Sequence, residues 1–508
     1  MKKAFKFLFV AMLVVIMLLT FGACSKDSGN GGGGNSAAKA TPTAGTDVTP
    51  GDGTVVGGNF TNPGETYSFY SWQYASENPY AGDTERDQVM RDRVARITEE
   101  YGITIEFVSG MSDSVMLASA FNGVPEITGM KEGGLHTMMR TYLYQGNPGI
   151  CLTPLSDHTD VYNFRDENKF NVYSQYDLCE YNDKLWFFIP QEIGVHFECG
   201  GNVLVFNKDL IKAAGSSAEE IYAWVEAGTW TWDKFESLLA ATTVPDKGQY
   251  GIERGNSGLV MWSLANSNGT EFVLKETLAS GQVQDSFVYS GDKGDRLMEA
   301  YDEFIKFAKN GWMETTLYTA TSTVPLEHFL NEKTAFFYNG YSSNPLKDIQ
   351  QAEFDYGIVP WPKGPTNAAN ENKYYSFYPH LNPYCVFRDT NGNVKGAVQI
   401  LCELYTPVYD VNSDEAKALY ESERLMFSRD QQSEANIDLA ENSKEHFRVF
   451  MYSNAPVSIG SAKQVSDALF GKGEDDILNE TQNAQTYFKS IAGAINEGIY
   501  LRSPYSWK

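Results

Sequence analysis

Asn202-Val203-Leu204-Val205-Phe206-Asn207-Lys208-Asp209-Leu210-Ile211-Lys212-Ala213-Ala214-Gly215 passes from strand to helix without a break. Its first five residues are rich in branched and aromatic side chains, which suit a pleated surface and predict a strand over 202–206. Lys208–Ala214 predicts a helix, and Gly215 supplies its stop. Toward the N-terminus the same alternation recurs. Tyr67–Trp72 alternates as a strand, and Asp83–Tyr101 places Val89, Met90, Val94, Ile97 and Tyr101 at helical spacing. Ile103–Val108 is a second strand, and Ser112–Phe121 a second helix broken by Gly123 and Pro125. Toward the C-terminus, Trp232–Ala241, Asp295–Asn310 and Val394–Tyr405 read as helices and Phe354–Val359 as a strand. This rhythm predicts an α/β fold with a mostly parallel, doubly wound sheet. No repeat of 20–50 residues is visible, which argues against a solenoid.

The chain has 508 residues, enough for two or three domains' worth of core. Its 40 Lys and Arg face 65 Asp and Glu, a formal charge of −25. Nucleic-acid binding needs cationic surface against phosphate, so this balance excludes it as a partner class, and an anionic membrane surface is disfavoured for the same reason. A neutral ligand remains open. Aromatics make up 14% of the chain, with 30 Tyr, 30 Phe and 9 Trp. They point to a stacking surface, although cores use aromatics too.

Residues 1–23 read as an export signal. Lys2, Lys3 and Lys6 precede the apolar run Phe7–Phe21, and Gly22-Ala23 lead into Cys24. Small residues before a cysteine resemble a bacterial lipobox, in which the cysteine becomes a lipidated N-terminus; Phe21 stands where Leu is usual. The resemblance implies lipidation at Cys24 with more than one acyl chain, since one chain binds a membrane weakly. Plain secretion is the alternative. Residues 24–59 are dominated by Gly, Ser, Ala, Thr and Pro. Such a segment cannot bury enough apolar surface to offset its ordering entropy and reads as a tether with a reach of roughly 30 Å. No later stretch approaches the 18 apolar residues a spanning helix needs.

Cys151, Cys179, Cys199, Cys385 and Cys402 are widely spaced, lack zinc-ligand spacing and specify no disulfide pairing. The motifs HExxH, GxSxG, GxxxxGK[ST] and GxGxxG are absent, and the six His are scattered. Asp410, Asn412, Asp414 and Glu421 fall on a calcium-loop spacing, but Glu415 occupies the position where the turn needs Gly. These residues predict neither metal nor cofactor. A pair of catalytic carboxylates is defined by separation in space, and the sequence leaves it open.

Six segments, in order, resemble one family. Leu204-Val205-Phe206-Asn207-Lys208-Asp209-Leu210 with Ala214-Gly215 is similar to an L-x-Y-N-K-D-L…A-G segment, and Trp230–Phe235 to a T-W-D-E-F helix start with Thr231 as the N-cap. Gly123–Ile127, Leu152–Asp157, Phe329–Phe336 and Asp355–Pro365 match further motifs of the set. The chain thereby resembles the bacterial extracellular solute-binding proteins, family 1, the sugar-binding lipoproteins of ABC importers. The resemblance covers residues 60–410 and weakens beyond. It implies a two-lobe, periplasmic-binding-protein-like (type II) fold with a ligand cleft between lobes. Lobe 1 would be 60–200 plus 360–408, and lobe 2 would be 201–358 plus 409–508, with crossings near 198–203, 359 and 405–412.

A sugar presents flat C–H faces and many hydroxyls, so its site needs aromatic plates with polar side chains around them. Trp72, Gln73 and Tyr74 end the first strand, and open α/β sheets bind ligands beyond the carboxyl ends of strands. The resemblance adds Trp262, Asn339 and Tyr341 from the second lobe, Tyr375 and Tyr378 from the returning stretch, and Glu126 from the turn. Trp72 and Trp262 are equally well explained as core. The reading is a monomeric, lipid-anchored protein on the outer face of the cell membrane that captures a carbohydrate of oligosaccharide class and delivers it to ABC permease subunits, without covalent chemistry. A peptide or other solute as ligand, a sensor as partner, and a secreted glycan-active enzyme are the alternatives.

Overall fold

The computed structural model describes residues 58–70, 78–82, 85–108, 127–129, 152–164, 166, 180–181, 184–187, 202–254, 258–277, 280–281, 283–316, 318, 322–340, 348–378, 384–387, 393–407, 409–410, 413–425, 428–446, 456–459, 462–465, 467–479 and 483–500. The chain divides into two units, Met1–Thr49 and Pro50–Lys508. Every described residue belongs to the second, so the export signal, Cys24 and nearly all of the tether lie outside the description.

One sheet has four strands. Thr66–Tyr70 lies between Thr104–Val108 and Ile127–Gly129, parallel to both, and Tyr384–Val386 closes the far edge antiparallel to Ile127–Gly129. The Val394–Tyr405 helix packs against the Glu85–Tyr101 helix, with Arg93 Nη1 donating to the Leu404 carbonyl at 2.9 Å and Tyr101 Oη to Glu403 at 2.7 Å. Cys385 and Cys402, both buried, belong to this region; Cys151, Cys179 and Cys199 lie outside the described residues.

The second sheet is built on Asn202–Asn207, buried at all six positions. Its neighbours Phe336–Gly340 and Tyr356–Pro360 are both antiparallel to it. Here the expectation of a mostly parallel sheet fails: the four-stranded sheet obeys it and this three-stranded one does not. The next strands in sequence to join the central one arrive from the opposite end, and only antiparallel ladders fit that direction.

The strand-to-helix passage forms as the sequence predicts. Asn207 Oδ1 accepts from the backbone N–H groups of Asp209 and Leu210, both at 2.9 Å, and so caps the Lys208–Ala213 helix. Gly215, at φ +87°, ends it, with Gly215 N–H bonded to Lys212 O and Ser216 N–H to Ile211 O. Thr231 stands at the N-cap of the Trp232–Thr242 helix with extended backbone, but its side chain makes no capping bond. The helix expected over 295–310 starts a turn earlier, at Gly291. Helix 112–121 lies outside the described residues.

The Gln431–Asn442 helix is tied to the edge strand by Ser433 Oγ, which accepts from Ile358 N–H at 2.9 Å, and by Asn436 Nδ2, which donates to Ile358 O at 2.9 Å. Just before Ile358 stands Gly357, where a Cβ would come within 2.2 Å of Tyr222 Oη and 2.4 Å of Phe206 Cζ. Gly357→Ala should therefore overpack the sheet and cost about 1–3 kcal/mol, lowering the urea midpoint without changing the slope. An unchanged midpoint would contradict this packing.

Candidate functional site

Asn202 begins the central strand, and its antiparallel neighbour Phe336–Gly340 ends beside it, with Gly340 in register with Asn202. The same end of the sheet receives two further segments. Asn202 Nδ2 donates to Ser263 Oγ on the Leu259–Ser267 helix, and Ser376 Oγ donates to the Asn202 carbonyl at 3.0 Å from the strand Ser376–Tyr378. Three chain segments distant in sequence are thus tied to one residue.

Trp262 sits on the helix of this junction and is 5% exposed. Its ring meets Phe470 edge-on at a centroid distance of 4.7 Å and Phe377 at 6.3 Å. Tyr375 is half-buried, and its ring lies 3.4 Å from where a Cβ would stand on Gly269, at the turn that follows the Trp262 helix. Arg296, itself buried, holds that turn: it donates to Asn268 O at 3.1 Å and grips Glu371 with two bonds of 2.8 and 2.9 Å. Asn339 is in register with Val203, one residue from the junction, and Tyr378 ends the strand that begins at Ser376. The structure therefore brings Trp262, Tyr375 and the backbones of Asn339 and Tyr378 to one region. The side chains of Asn339 and Tyr378 lie outside the described residues, as do Trp72, Gln73, Tyr74, Glu126 and Tyr341. Sequence reasoning missed Asn202, Ser263, Ser376, Phe377 and Phe470. The Ser376-Phe377 pair stood in a stretch read only for its tyrosines, and nothing local marks Phe470 as a neighbour of Trp262.

Buried charge lies on both sides of the strand segment that precedes this helix. Glu253 contacts His328 Nδ1 and sits in register with Glu314 on a parallel partner strand. Burial, and then the Glu314 charge, pushes the Glu253 carboxyl up to about 8. Its neighbour Arg254, 2% exposed, binds Glu474 through Nε at 2.9 Å and Nη2 at 2.8 Å, and Asp475 through Nη1 at 2.7 Å. Burial pushes the Glu474 carboxyl up to about 8 against the pull of Arg254. Glu303 is raised likewise to about 8 by burial and by its bond to Glu236. Among the described residues, no three His, Cys, Asp or Glu side chains are grouped so as to hold a metal ion.

The family model described as "Bacterial extracellular solute-binding protein" matches residues 152–380. Among solved structures, the chain is similar to an ABC substrate-binding protein of Listeria monocytogenes in complex with cycloalternan. Identity is 13% and the TM-score 0.54, over 85% of this chain and 98% of that one. A solute-binding protein of Thermotoga lettingae bound with α-D-tagatose gives 12% and 0.54, over 86% and 100%. A binding protein of B. animalis subsp. lactis in complex with β-1,6-galactobiose gives 12% and 0.52, over 86% and 98%. No curated protein matches the chain. The α/β, periplasmic-binding-protein-like class read from the sequence is the fold that this chain shares with these structures.

Three carboxyls raised from an ordinary value of 4.5 to about 8 make the folded chain hold protons that the unfolded chain releases between those pH values. Stability should therefore fall as pH rises from about 4.5 to 8. Glu253→Gln removes one of these groups, so its melting temperature should match the parent's at pH 5 and exceed it at pH 8.5; parallel curves across this range would refute the assignment of Glu253.

Proposed function

We propose, from the premise that residues 152–380 belong to the bacterial extracellular solute-binding protein family, that the chain is the capture subunit of an importer and takes a carbohydrate of oligosaccharide class. The family match carries this reading. It is supported by a fold that spans 98–100% of proteins solved with cycloalternan, tagatose and galactobiose. Lobe 1 is 60–200 plus 360–408 and lobe 2 is 201–358 plus 409–508, with the ligand between them.

The chemistry is that of capture. Sugar C–H faces stack on aromatic rings, and hydroxyls replace their water partners with fixed side chains. Trp72, Gln73 and Tyr74 with Glu126 serve from one lobe, and Trp262, Asn339 and Tyr341 from the other; Tyr375 and Tyr378 close the site from the returning chain. Ligand bound in a hinged cleft favours the closed form, because contacts to both lobes exist only there. The closed form then docks on permease subunits. The chain does no covalent chemistry, acts as a monomer, and is held to the outer face of the membrane through lipidated Cys24 and the tether.

Thermal denaturation of the purified chain against mono- and oligosaccharides and a few peptides tests this. A ligand at 100 times its Kd stabilises by roughly 2.7 kcal/mol, which a melting curve resolves. One saccharide should raise the melting temperature and return intact on chromatography, and Tyr375→Ala should weaken it about 3–10-fold, the range of a lost aromatic contact. Breakdown of the sugar would establish the glycan-active enzyme instead, and stabilisation by a peptide alone would replace the ligand class.

A further inference from the structure

The family match ends at residue 380, yet among the described residues the ring that packs most closely on Trp262 is Phe470. Phe470 lies in a wide helical turn, Asp467–Gly471, that continues into the helix Lys472–Leu478. It stands edge-on to both Trp262 and Phe272 at 4.7 Å, so it is wedged between the helix of the junction and the segment that follows it. One turn later Glu474, fully buried, takes the Arg254 guanidinium.

These two residues converge on a single backbone position. Gly258 has φ +79°, and a Cβ there would come within 2.7 Å of Phe470 Cβ and 3.1 Å of Glu474 Oε1. Gly258 is the N-cap of the Leu259–Ser267 helix, and its carbonyl accepts the N–H of Trp262 at 3.0 Å. Arg254 is fixed independently on its other sides: its N–H donates to Glu314 O at 2.8 Å, and its carbonyl accepts from Tyr338 Oη at 2.9 Å. Arg254 is therefore held by Glu474, Gly258 by Phe470 and Glu474 together, and Trp262 by Phe470.

We propose that Phe470 and Glu474 are positioning residues of the ligand site, and that the segment 467–478 fixes Arg254 and the Gly258–Trp262 start of the helix and with it the orientation of Trp262 toward a bound saccharide. This rests on the carbohydrate reading above for its ligand. A ring enclosed on two sides has one orientation, so the site gains a fixed wall and pays no ordering entropy for it on binding. The C-terminal segment thereby acts on specificity through Trp262, without touching ligand itself.

Two measurements on the full chain test the proposal. Hydrogen exchange reads local opening directly. In Phe470→Ala and Glu474→Ala, amides of 259–267 should exchange at least 10-fold faster, while those of 85–101 keep parent rates; Phe470→Leu should restore the slow rates. Unchanged exchange over 259–267, or equal acceleration in both helices, overturns the proposal. The second measurement is a double-mutant cycle with maltotriose, cellotriose and xylotriose as probes. Phe470→Ala should weaken the probe that binds about 10-fold in the parent and less than 2-fold in Trp262→Ala. Equal losses in both backgrounds would show that Phe470 does not act through Trp262 and would overturn the proposal. Should the parent bind no saccharide, the carbohydrate reading falls, and the exchange result alone decides whether the brace exists. Phe470→Val and Glu474→Ala keep the test decisive if Phe470→Ala does not fold.

Discussion

Burial of the strand Asn202–Asn207 on both faces leaves water no access to its backbone, so every N–H and C=O must find a partner inside the protein. Its antiparallel neighbours, Phe336–Gly340 and Tyr356–Pro360, supply those partners. The two ends are where the requirement cannot be met by a ladder, and each carries an asparagine. Asn207 caps the helix that follows, and Asn202 gathers Ser263 and Ser376. At the Asn202 end, the polar atoms that complete the strand also assemble the candidate site. A hydrophobic residue at 202 would suit the strand equally well and keep the carbonyl that Ser376 uses, but it would leave the Ser263 helix without its anchor.

What the sequence disclosed follows from how local each interaction is. The strand and its helix were readable because cap, apolar run and terminal glycine all lie within 202–215. Antiparallel pairing was not, because its register is fixed by residues more than a hundred positions away, and the alternation of strands and helices suggested the parallel arrangement instead. Trp262 was singled out through its place in a family pattern. Its packing partner Phe470 lies where that pattern has faded, in a stretch whose hydrophobicity reads the same whether it serves a core or a site. The early start of the Gly291–Lys309 helix shows the opposite effect: its first turn, Gly291-Asp292-Lys293, has no apolar residue to announce it, and tertiary contact by Lys293 and Arg296 with the Asn268–Gly269 turn holds it in place.

The acidic balance of the chain also takes a different form inside the protein from outside. On the surface a net charge of −25 keeps molecules apart. In the interior, Glu253, Glu303 and Glu474 escape the cost of buried charge by keeping their protons to higher pH, and Arg254 draws two carboxyl groups to one side of the strand segment before Trp262. The composition that excluded nucleic acid as a partner therefore supplies internal couplings as well.

The convergence of Phe470 and Glu474 on Gly258 has a consequence for how the molecule matures. Contacts between residues this far apart in sequence form late, since the loop between them must close first. A chain that has emerged only to residue 380 contains the whole family region but has nothing to set against Gly258. Such an intermediate would present the faces of Trp262 and Phe272 that Phe470 covers, an apolar surface suited to holdase capture. On the proposed function, the ligand site and the folded C-terminus are then completed in a single event, so a half-made molecule is kept from competing for ligand.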